Sequence, residues 1–104
     1  MAKTISNGLK YDNGKIRYDL LAPEFAEGVA KVLVMGANKY GDNNWQGLDD
    51  ATNRYYAACM RHIAAWRKGE MVDDESGLHH LFHAACNLYF LLYGDNYGNI
   101  DSSP

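Results

Sequence analysis

The chain has 104 residues, the length of one domain, and a net charge of −3. Basic residues are few and scattered, which argues against a face that binds duplex nucleic acid, and no apolar run approaches the roughly 20 residues of a membrane span. Hydrophobic residues make up 47% of the sequence, and this surplus on so small a body favours a homo-oligomer.

The first 20 residues are predicted to form an irregular N-terminal arm, because Asn-Gly pairs at 7–8 and 13–14 mark turns. Residues 21–93 are expected to form a helical domain, which contains all the candidate site residues described below. Residues 94–104 are polar and glycine-rich, and we expect them to be a frayed tail. The predicted fold class is all-α, a small bundle of three main helices.

The first helix is predicted to begin at Pro23, a favoured first helical residue, and to fade near Gly36 and stop by Gly41. Apolar residues recur at helical spacing between these points. The segment KYGDNNWQG that follows has the composition of a loop. A large aromatic residue in a loop, here Trp45, usually either fills a core or stacks on a ligand.

The second helix is predicted over about residues 50–68, with Asp49 or Asp50 as its cap and Gly69 as its stop. Two cysteines, Cys59 and Cys86, lie in helical apolar patterns, without a CxxC or a zinc-type Cys/His spacing. We therefore predict reduced core cysteines in a cytoplasmic protein. The start of the chain, MAKTISNGLK, lacks the apolar region of a signal peptide.

The third helix is predicted to follow Ser76 as its N-cap. Its core face is expected to consist of apolar residues at helical spacing, namely Leu78, Leu81, Ala85, Leu88 and Leu92. His80, His83 and Asn87 fall on another face at i, i+3 and i+7. We expect this polar face to point away from the core, toward a cleft shared with Arg61 and His62.

Carboxylates are grouped at two places in the sequence. Glu24 and Glu27 share one face of the first helix, and a second group follows the second helix at Glu70, Asp73, Asp74 and Glu75. A hard cation such as Mg²⁺ or Mn²⁺ requires several converging carboxylate oxygens. The alternatives are a solvated first turn and a solvated linker that complements the dipole of the third helix.

Three of the four histidines lie within residues 79–83. Two histidines at i, i+4 with a carboxylate would suit Zn²⁺, but the sequence has no HExxH and no His-Asp pair. The histidines could equally donate hydrogen bonds to phosphate or hold the carboxylates of a metal site. We favour this indirect or substrate-binding role over direct metal ligation.

Basic and aromatic residues complete the candidate site. Lys39, Arg54 and Arg61 could hold phosphate oxygens, and Tyr40 and Trp45 could stack on a base. The alternatives are a solvated lysine and a tryptophan packed across helix ends. No GxxxxGK[ST] or GxSxG motif is present.

Four blocks in order, GKIRYDLLAPE, GANKYGDNNWQG, RHIAAWRKGE and DDESGLHHLFHAACNLYFLL, resemble the largely phage-encoded family named for the N-terminal domain of dATP/dGTP diphosphohydrolases. The resemblance covers about residues 14–92. It implies hydrolysis of a purine deoxynucleoside triphosphate to the monophosphate and pyrophosphate. It also suggests a distant similarity to the all-α MazG-type pyrophosphohydrolases, which hold Mg²⁺ with ExxE and ExxD motifs.

The sequence departs from the MazG pattern because no helical ExxD follows Glu24 and Glu27. Either Glu70, Asp73 and Glu75 replace the second acidic pair, or the domain binds nucleotides without cleaving them. A third hypothesis is a structural domain whose apolar surplus serves self-assembly alone.

The leading hypothesis is a metal-dependent nucleotide phosphohydrolase with Mg²⁺ (or Mn²⁺). Its predicted catalytic residues are Glu75, His80 and His83. Its predicted metal ligands are Glu24, Glu27, Glu70 and Asp73. Its predicted substrate-binding residues are Lys39, Tyr40, Asn44, Trp45, Arg54, Arg61, His62 and Asn87.

Overall fold

Three α-helices account for most of residues 14–95, the part of the chain that the computed structural model describes. Helix α1 spans Pro23–Tyr40, α2 spans Ala51–Arg67 and α3 spans His80–Gly94. Short 3-10 turns lie at Tyr18–Leu20 and Asn44–Gly47. The predicted all-α bundle of three helices is confirmed. Most of the predicted N-terminal arm and C-terminal tail lies outside the described residues, so the domain boundaries stay predictions.

Helix α1 begins where the sequence predicts, because Pro23 occupies its first turn after an extended Ala22. It ends at Gly41, which has a φ of 98° that favours glycine. The Gly41 N–H donates to the Ala37 carbonyl at 2.8 Å. Gly36 does not weaken the helix enough to end it, so α1 continues to Tyr40 and carries Lys39 on its last turn.

Helix α2 ends as predicted near Gly69, whose φ is 105°, but its start is capped differently. Asp50 occupies the N-cap position with a left-handed backbone, and its side chain makes no capping bond to the backbone. Instead, its Oδ1 accepts a hydrogen bond from the Asn53 side chain at 3.1 Å.

Helix α3 begins three residues later than predicted. His79 is its N-cap, and the Nδ1 atom of this residue accepts a hydrogen bond from the Leu81 N–H at 3.0 Å. The prediction that Ser76 caps the helix is wrong because its hydroxyl accepts from the Leu78 N–H within a turn and contacts His83. Leu78 therefore precedes the helix instead of lying on its core face.

The predicted orientation of α3 is also wrong. The side that packs inward contains His80, His83 and Asn87, which are only 6–7% exposed. The leucines expected in the core, Leu88 and Leu92, are each about half exposed. The inward side of α3 packs chiefly against α2, where Cys59 lies close enough for its thiol to contact the Ala84 carbonyl at 3.6 Å.

Small residues and polar pairing explain this inversion. Ala84 and Cys86 on α3 and Cys59 on α2 are all buried, and their small side chains allow the two helices to approach closely. The buried histidines find partners on α2 and in the loop before α3, as described below. Helical periodicity shows which residues share a face, but it does not show which face is buried once polar residues are paired.

Helix α1 packs against the other flank of α3. Gly28 and Val32, one turn apart, are its buried residues, and Gly28 lies directly against the Phe82 ring. The Phe25 ring packs at a tilt near the same phenylalanine, with the ring centroids 6.4 Å apart. This contact sets the spacing between α1 and α3.

Both cysteines are free and buried, as predicted. Burial raises the pKa of the Cys86 thiol to about 12 and also raises that of Cys59. Both side chains therefore serve as small core residues. Within residues 14–95, no helix has the combined length and apolar character needed to cross a membrane.

Candidate functional site

Three imidazole rings form a cluster between α2 and α3. The Nδ1 atoms of His62 and His80 lie 2.9 Å apart. The rings of His62 and His83 are stacked nearly parallel, with centroids 4.4 Å apart. Burial lowers the pKa of His62, and the neighbouring histidines add to this effect. Burial also lowers the pKa of His83, against the opposing effect of Asp73. The lowered pKa values favour the neutral form of both rings, in which one ring nitrogen can accept a hydrogen bond or bind a metal.

The loop between α2 and α3 brings one carboxylate to this cluster. It is a tight turn in which the Asp73 N–H donates to the Leu78 carbonyl at 2.9 Å and the Gly77 N–H donates to the Asp73 carbonyl at 2.8 Å. Gly77 permits the turn because its φ is 74°. The Ser76 N–H donates to the Asp73 carboxylate at 2.9 Å, which fixes the orientation of that carboxylate.

The charged form of Asp73 is favoured in this position. Partial burial opposes ionisation, but the hydrogen bonds from the backbone and side chain of Ser76 outweigh it and lower the pKa of Asp73. The Ser76 hydroxyl is also 2.7 Å from the Nε2 atom of His83. Ser76 therefore joins the carboxylate to the histidine cluster, a role that its predicted capping position did not indicate.

His62, Asp73 and His80 form a group that could hold a metal ion. Each offers one ligand atom, and these atoms lie within 4.8 Å of one another. The Nε2 atom of His80 is buried and has no hydrogen-bond partner among the described residues. Its nearest acid is Glu70, whose Oε1 lies 3.6 Å away. Two imidazoles and a carboxylate are ligands that transition metals accept.

The four carboxylates predicted as metal ligands are not brought together. Among residues 14–95, the group of His62, Asp73 and His80 is the one set of three or more ligand side chains close enough to share an ion. Of the predicted ligands it contains Asp73 alone. Glu24 and Glu27 are exposed on the first turns of α1, and Glu70 is an exposed neighbour of His80. The ExxE spacing places two carboxylates side by side on one helix, but it does not determine which residues of other elements lie opposite them.

A cavity of about 1030 Å³ opens beside the cluster, bounded by the second half of α1, the Asn44–Gly47 turn, α2 and α3. All eight residues predicted to bind substrate line it: Lys39, Tyr40, Asn44, Trp45, Arg54, Arg61, His62 and Asn87. Asp73, Glu75 and His83 line it as well, whereas His80, Glu24, Glu27 and Glu70 do not.

The three cationic side chains that line the cavity differ in whether they have an acidic partner. Lys39 Nζ is 2.7 Å from the Glu75 carboxylate, and this hydrogen bond raises the pKa of Lys39. The same ammonium lies 5.3 Å from the centre of the Tyr40 ring. Arg54 and Arg61 are exposed and form no ion pair with any residue between 14 and 95. Within residues 14–95, these two guanidinium groups therefore line the cavity without an acidic partner.

Two aspartates of the cavity, Asp42 and Asp50, were not predicted as site residues. Their position in the loop beside Asn44 was the available signal, although loop aspartates are common in turns.

Asn87 was predicted, and its side-chain amide donates to the His83 carbonyl at 2.9 Å. That bond orients the Asn87 side chain within the inward-facing side of α3.

Trp45 lies in an aromatic cluster. Its ring is stacked on Phe90 with centroids 4.5 Å apart, meets Tyr93 edge to face at 4.9 Å and is tilted against Tyr89 at 5.2 Å. The Trp45 carbonyl accepts a hydrogen bond from the Tyr55 hydroxyl at 2.8 Å. These contacts anchor the loop to α3, and at least one face of the indole is covered.

Sequence comparisons identify the family of the chain. The family model described as "dATP/dGTP diphosphohydrolase, N-terminal" matches residues 6–102. The chain belongs to this family. A curated protein of Salmonella phage PMBT28, named dATP/dGTP diphosphohydrolase, is 45% identical over 86 residues. These two matches confirm the family that the sequence motifs predict.

The alignment covers most of this chain but only part of the phage relative. The match covers 83% of this chain but 29% of the phage relative, so the chain spans less than a third of that protein's length. No solved structure matches the chain significantly.

Proposed function

We propose that this domain binds a purine deoxynucleoside triphosphate in the cavity and, with a divalent metal ion, hydrolyses it to the monophosphate and pyrophosphate. The observation that carries this proposal is the cavity itself, which gathers all eight residues expected to contact a nucleotide. Its volume of about 1030 Å³ is at the upper end of the range for ligand pockets, roughly 300–1,000 Å³. The name of the phage relative supports the same substrate class.

Arg54 and Arg61 are proposed to bind the phosphates. Both lie on α2 and line the cavity, and guanidinium groups form bidentate hydrogen bonds with phosphate oxygens. Lys39 can join them when a phosphate replaces Glu75 as its partner. Tyr40 and Asn44, on the opposite wall, are proposed to contact the base or sugar.

Charge is the reason for including a metal ion. Four carboxylates line the cavity, those of Asp42, Asp50, Asp73 and Glu75, against the three cations of Lys39, Arg54 and Arg61. A polyphosphate would meet a net negative lining, which opposes its binding. A bound divalent cation would offset this charge and lower the pKa of a coordinated water.

Two residues of the chain are proposed to position the reacting groups. His83 lines the cavity and is oriented by Ser76, so it can hold a water or a phosphate oxygen by hydrogen bonding. Glu75 lines the cavity and is exposed, so it can accept a proton from water once Lys39 binds a phosphate instead.

If the chain is phage-encoded, the reaction would take place in the cytoplasm of the host cell, where deoxynucleotides are found.

The test is turnover by the pure domain. Each of the four deoxynucleoside triphosphates is incubated with Mg²⁺ or Mn²⁺, and released pyrophosphate and monophosphate are quantified. We expect release from dATP or dGTP. Absence of release above background for every nucleotide and metal would exclude hydrolysis by this domain.

A second candidate function is nucleotide binding without cleavage. It is favoured by the extent of the match, because more than two thirds of the phage relative lies outside the aligned region and could supply the chemistry. This hypothesis predicts that a purine nucleotide raises the melting temperature even in EDTA, while the turnover assay stays at background.

Arginine substitutions on α2 test the cavity under either hypothesis. Arg54→Ala and Arg61→Ala are each expected to weaken nucleotide binding about 10- to 100-fold, because each removes charge-assisted hydrogen bonds of about 1.5–3 kcal/mol. Arg67→Ala is the matched control, since Arg67 is exposed on the same helix but outside the cavity. Calorimetric titration with a nucleotide measures the difference. Equal losses in all three variants would indicate a general charge effect and would exclude binding at the cavity.

We also propose that the domain self-associates through the outer face of α3. Leu81, Leu88 and Leu92 are 37–51% exposed and lie at i, i+7 and i+11, the spacing by which one helix face packs against a second copy. Leu88→Glu is expected to shift the assembly to monomer in light scattering coupled to gel filtration. Met71→Glu, at an exposed apolar residue outside α3, should leave the assembly unchanged. A wild-type monomer at micromolar concentration would contradict the proposal.

A further inference from the structure

We propose that His62, Asp73 and His80 form a binding site for a first-row transition-metal dication such as Mn²⁺, Co²⁺ or Zn²⁺, in preference to Mg²⁺. This inference deepens the proposed function by naming the metal and its ligands. Binding of the metal alone can nevertheless be measured without any nucleotide.

The three ligands come from separate elements that the fold brings together. His62 lies on α2, Asp73 in the connecting turn and His80 at the start of α3. Their ligand atoms already lie within 4.8 Å of one another. Metal–ligand distances of about 2.0–2.2 Å place the ligands of one ion roughly 3–4 Å apart, so small side-chain adjustments suffice.

An unsatisfied buried atom points to a missing ligand. The Nε2 atom of His80 is buried and lacks a hydrogen-bond partner within residues 14–95, and leaving a buried polar group unpaired is destabilising. The Glu70 carboxylate at 3.6 Å is beyond hydrogen-bond distance. A cation beside His80 would give the ring a partner and attract Glu70 as a further oxygen ligand.

Neighbouring groups hold the ligands in place. The Ser76 N–H fixes the Asp73 carboxylate, and the ring of His83 is stacked on that of His62. The Nε2 atom of His83 is 3.9 Å from the Asp73 carboxylate. Supporting contacts of this kind, which orient the ligands of a metal, accompany most protein metal sites.

The donor atoms select the type of metal. Mg²⁺ prefers oxygen ligands and retains much of its water, whereas imidazole nitrogen suits the transition metals. His62 and Asp73 also line the cavity. An ion at this site would therefore border the space that we assign to the nucleotide, on the side of Arg61.

The test is metal binding by the full chain after treatment with EDTA and buffer exchange. Co²⁺ is titrated and followed by its visible absorption, and Zn²⁺, Mn²⁺ and Mg²⁺ are compared by calorimetry. We expect one Co²⁺ per chain and binding of Zn²⁺ and Mn²⁺ at least 100-fold tighter than that of Mg²⁺. His80→Ala and Asp73→Asn should each weaken Co²⁺ binding by 100-fold or more.

His79→Asn is the matched control because His79 adjoins His80 but is not part of the group, and asparagine can replace the imidazole as the N-cap of α3. It should retain Co²⁺ binding, and circular dichroism verifies that each variant is folded. Asp73→Asn keeps the size of the side chain, so the test remains informative if His80→Ala does not fold. Absence of Co²⁺ binding by the wild-type chain, preference for Mg²⁺, or equal losses in the His79 and His80 variants would overturn the site.

Failure of this inference is distinguishable from failure of the proposed function. A chain that binds Co²⁺ through these ligands but hydrolyses no nucleotide supports the metal site and excludes hydrolysis. A His80→Ala variant that hydrolyses a nucleotide with Mg²⁺ at the wild-type rate supports hydrolysis and excludes this site as its metal centre.

Discussion

Trp45→Ala is expected to lower the free energy of unfolding by about 2–4 kcal/mol. This is somewhat less than the roughly 3–5 kcal/mol for a fully buried aromatic side chain, because Trp45 is only partly buried. The indole contacts three aromatic rings of α3, and these contacts are all lost in the variant. A loss of this size is a large part of the total stability of a small domain, which is about 5–15 kcal/mol. Urea unfolding followed by circular dichroism measures it.

Two control variants separate packing from base stacking. Trp45→Phe retains a ring and should cost less than about 1.5 kcal/mol. Trp66→Ala truncates the other tryptophan, which is 38% exposed and absent from the aromatic cluster, and it should cost less than Trp45→Ala. If Trp45→Ala instead kept its stability but lost nucleotide binding, the indole would be a stacking platform for a base and not an anchor for the loop.

Gly28→Ala is expected to lower the free energy of unfolding by about 1–2 kcal/mol. The added Cβ would overlap the Phe82 ring, and relieving such an overlap typically costs about 1–3 kcal/mol. The higher helix propensity of alanine offsets part of this loss of stability. Thermal and urea unfolding of the variant measure the net effect.

Gly36→Ala is the matched control because Gly36 lies on the same helix with no neighbouring atom near its Cβ position. It should raise the free energy of unfolding by about 0.5–1 kcal/mol through helix propensity. Combining Gly28→Ala with Phe82→Leu should cost less than the sum of the two single changes, because the smaller side chain leaves room for the Cβ. Strict additivity would show that the overlap with Phe82 is not the cause.

These two contacts matter for the cavity because they hold its walls. The contact between Gly28 and Phe82 fixes α1 on α3, and α1 carries Lys39 and Tyr40 into the cavity. The packing of Trp45 fixes the loop that carries Asn44. Variants at Gly28 and Trp45 should therefore weaken nucleotide binding indirectly, in proportion to their loss of stability.

Local signals in the sequence were sufficient to predict that three helices form and where several of them end, but not where α3 begins. Pro23, Gly41 and Gly69 marked the ends of α1 and the end of α2 correctly, because proline and glycine restrict or permit particular backbone angles regardless of distant contacts. The residues predicted to bind substrate all line one cavity, because the basic, aromatic and amide side chains are grouped in a few loop and helix segments. Their role in binding stays a prediction. The family was recognised from the order and spacing of the four sequence segments that contain many of these residues.

The buried face of α3 and the grouping of the proposed metal ligands were decided by the tertiary structure alone. His80 and His83 are polar, so hydropathy assigned them to the outside, yet His62, Ser76 and Asp73 give them partners in the interior. Those partners come from another helix and a turn, and the sequence does not encode their proximity in any local pattern. The burial of a polar residue depends on whether distant groups can satisfy it, and only the packed helices bring those groups together.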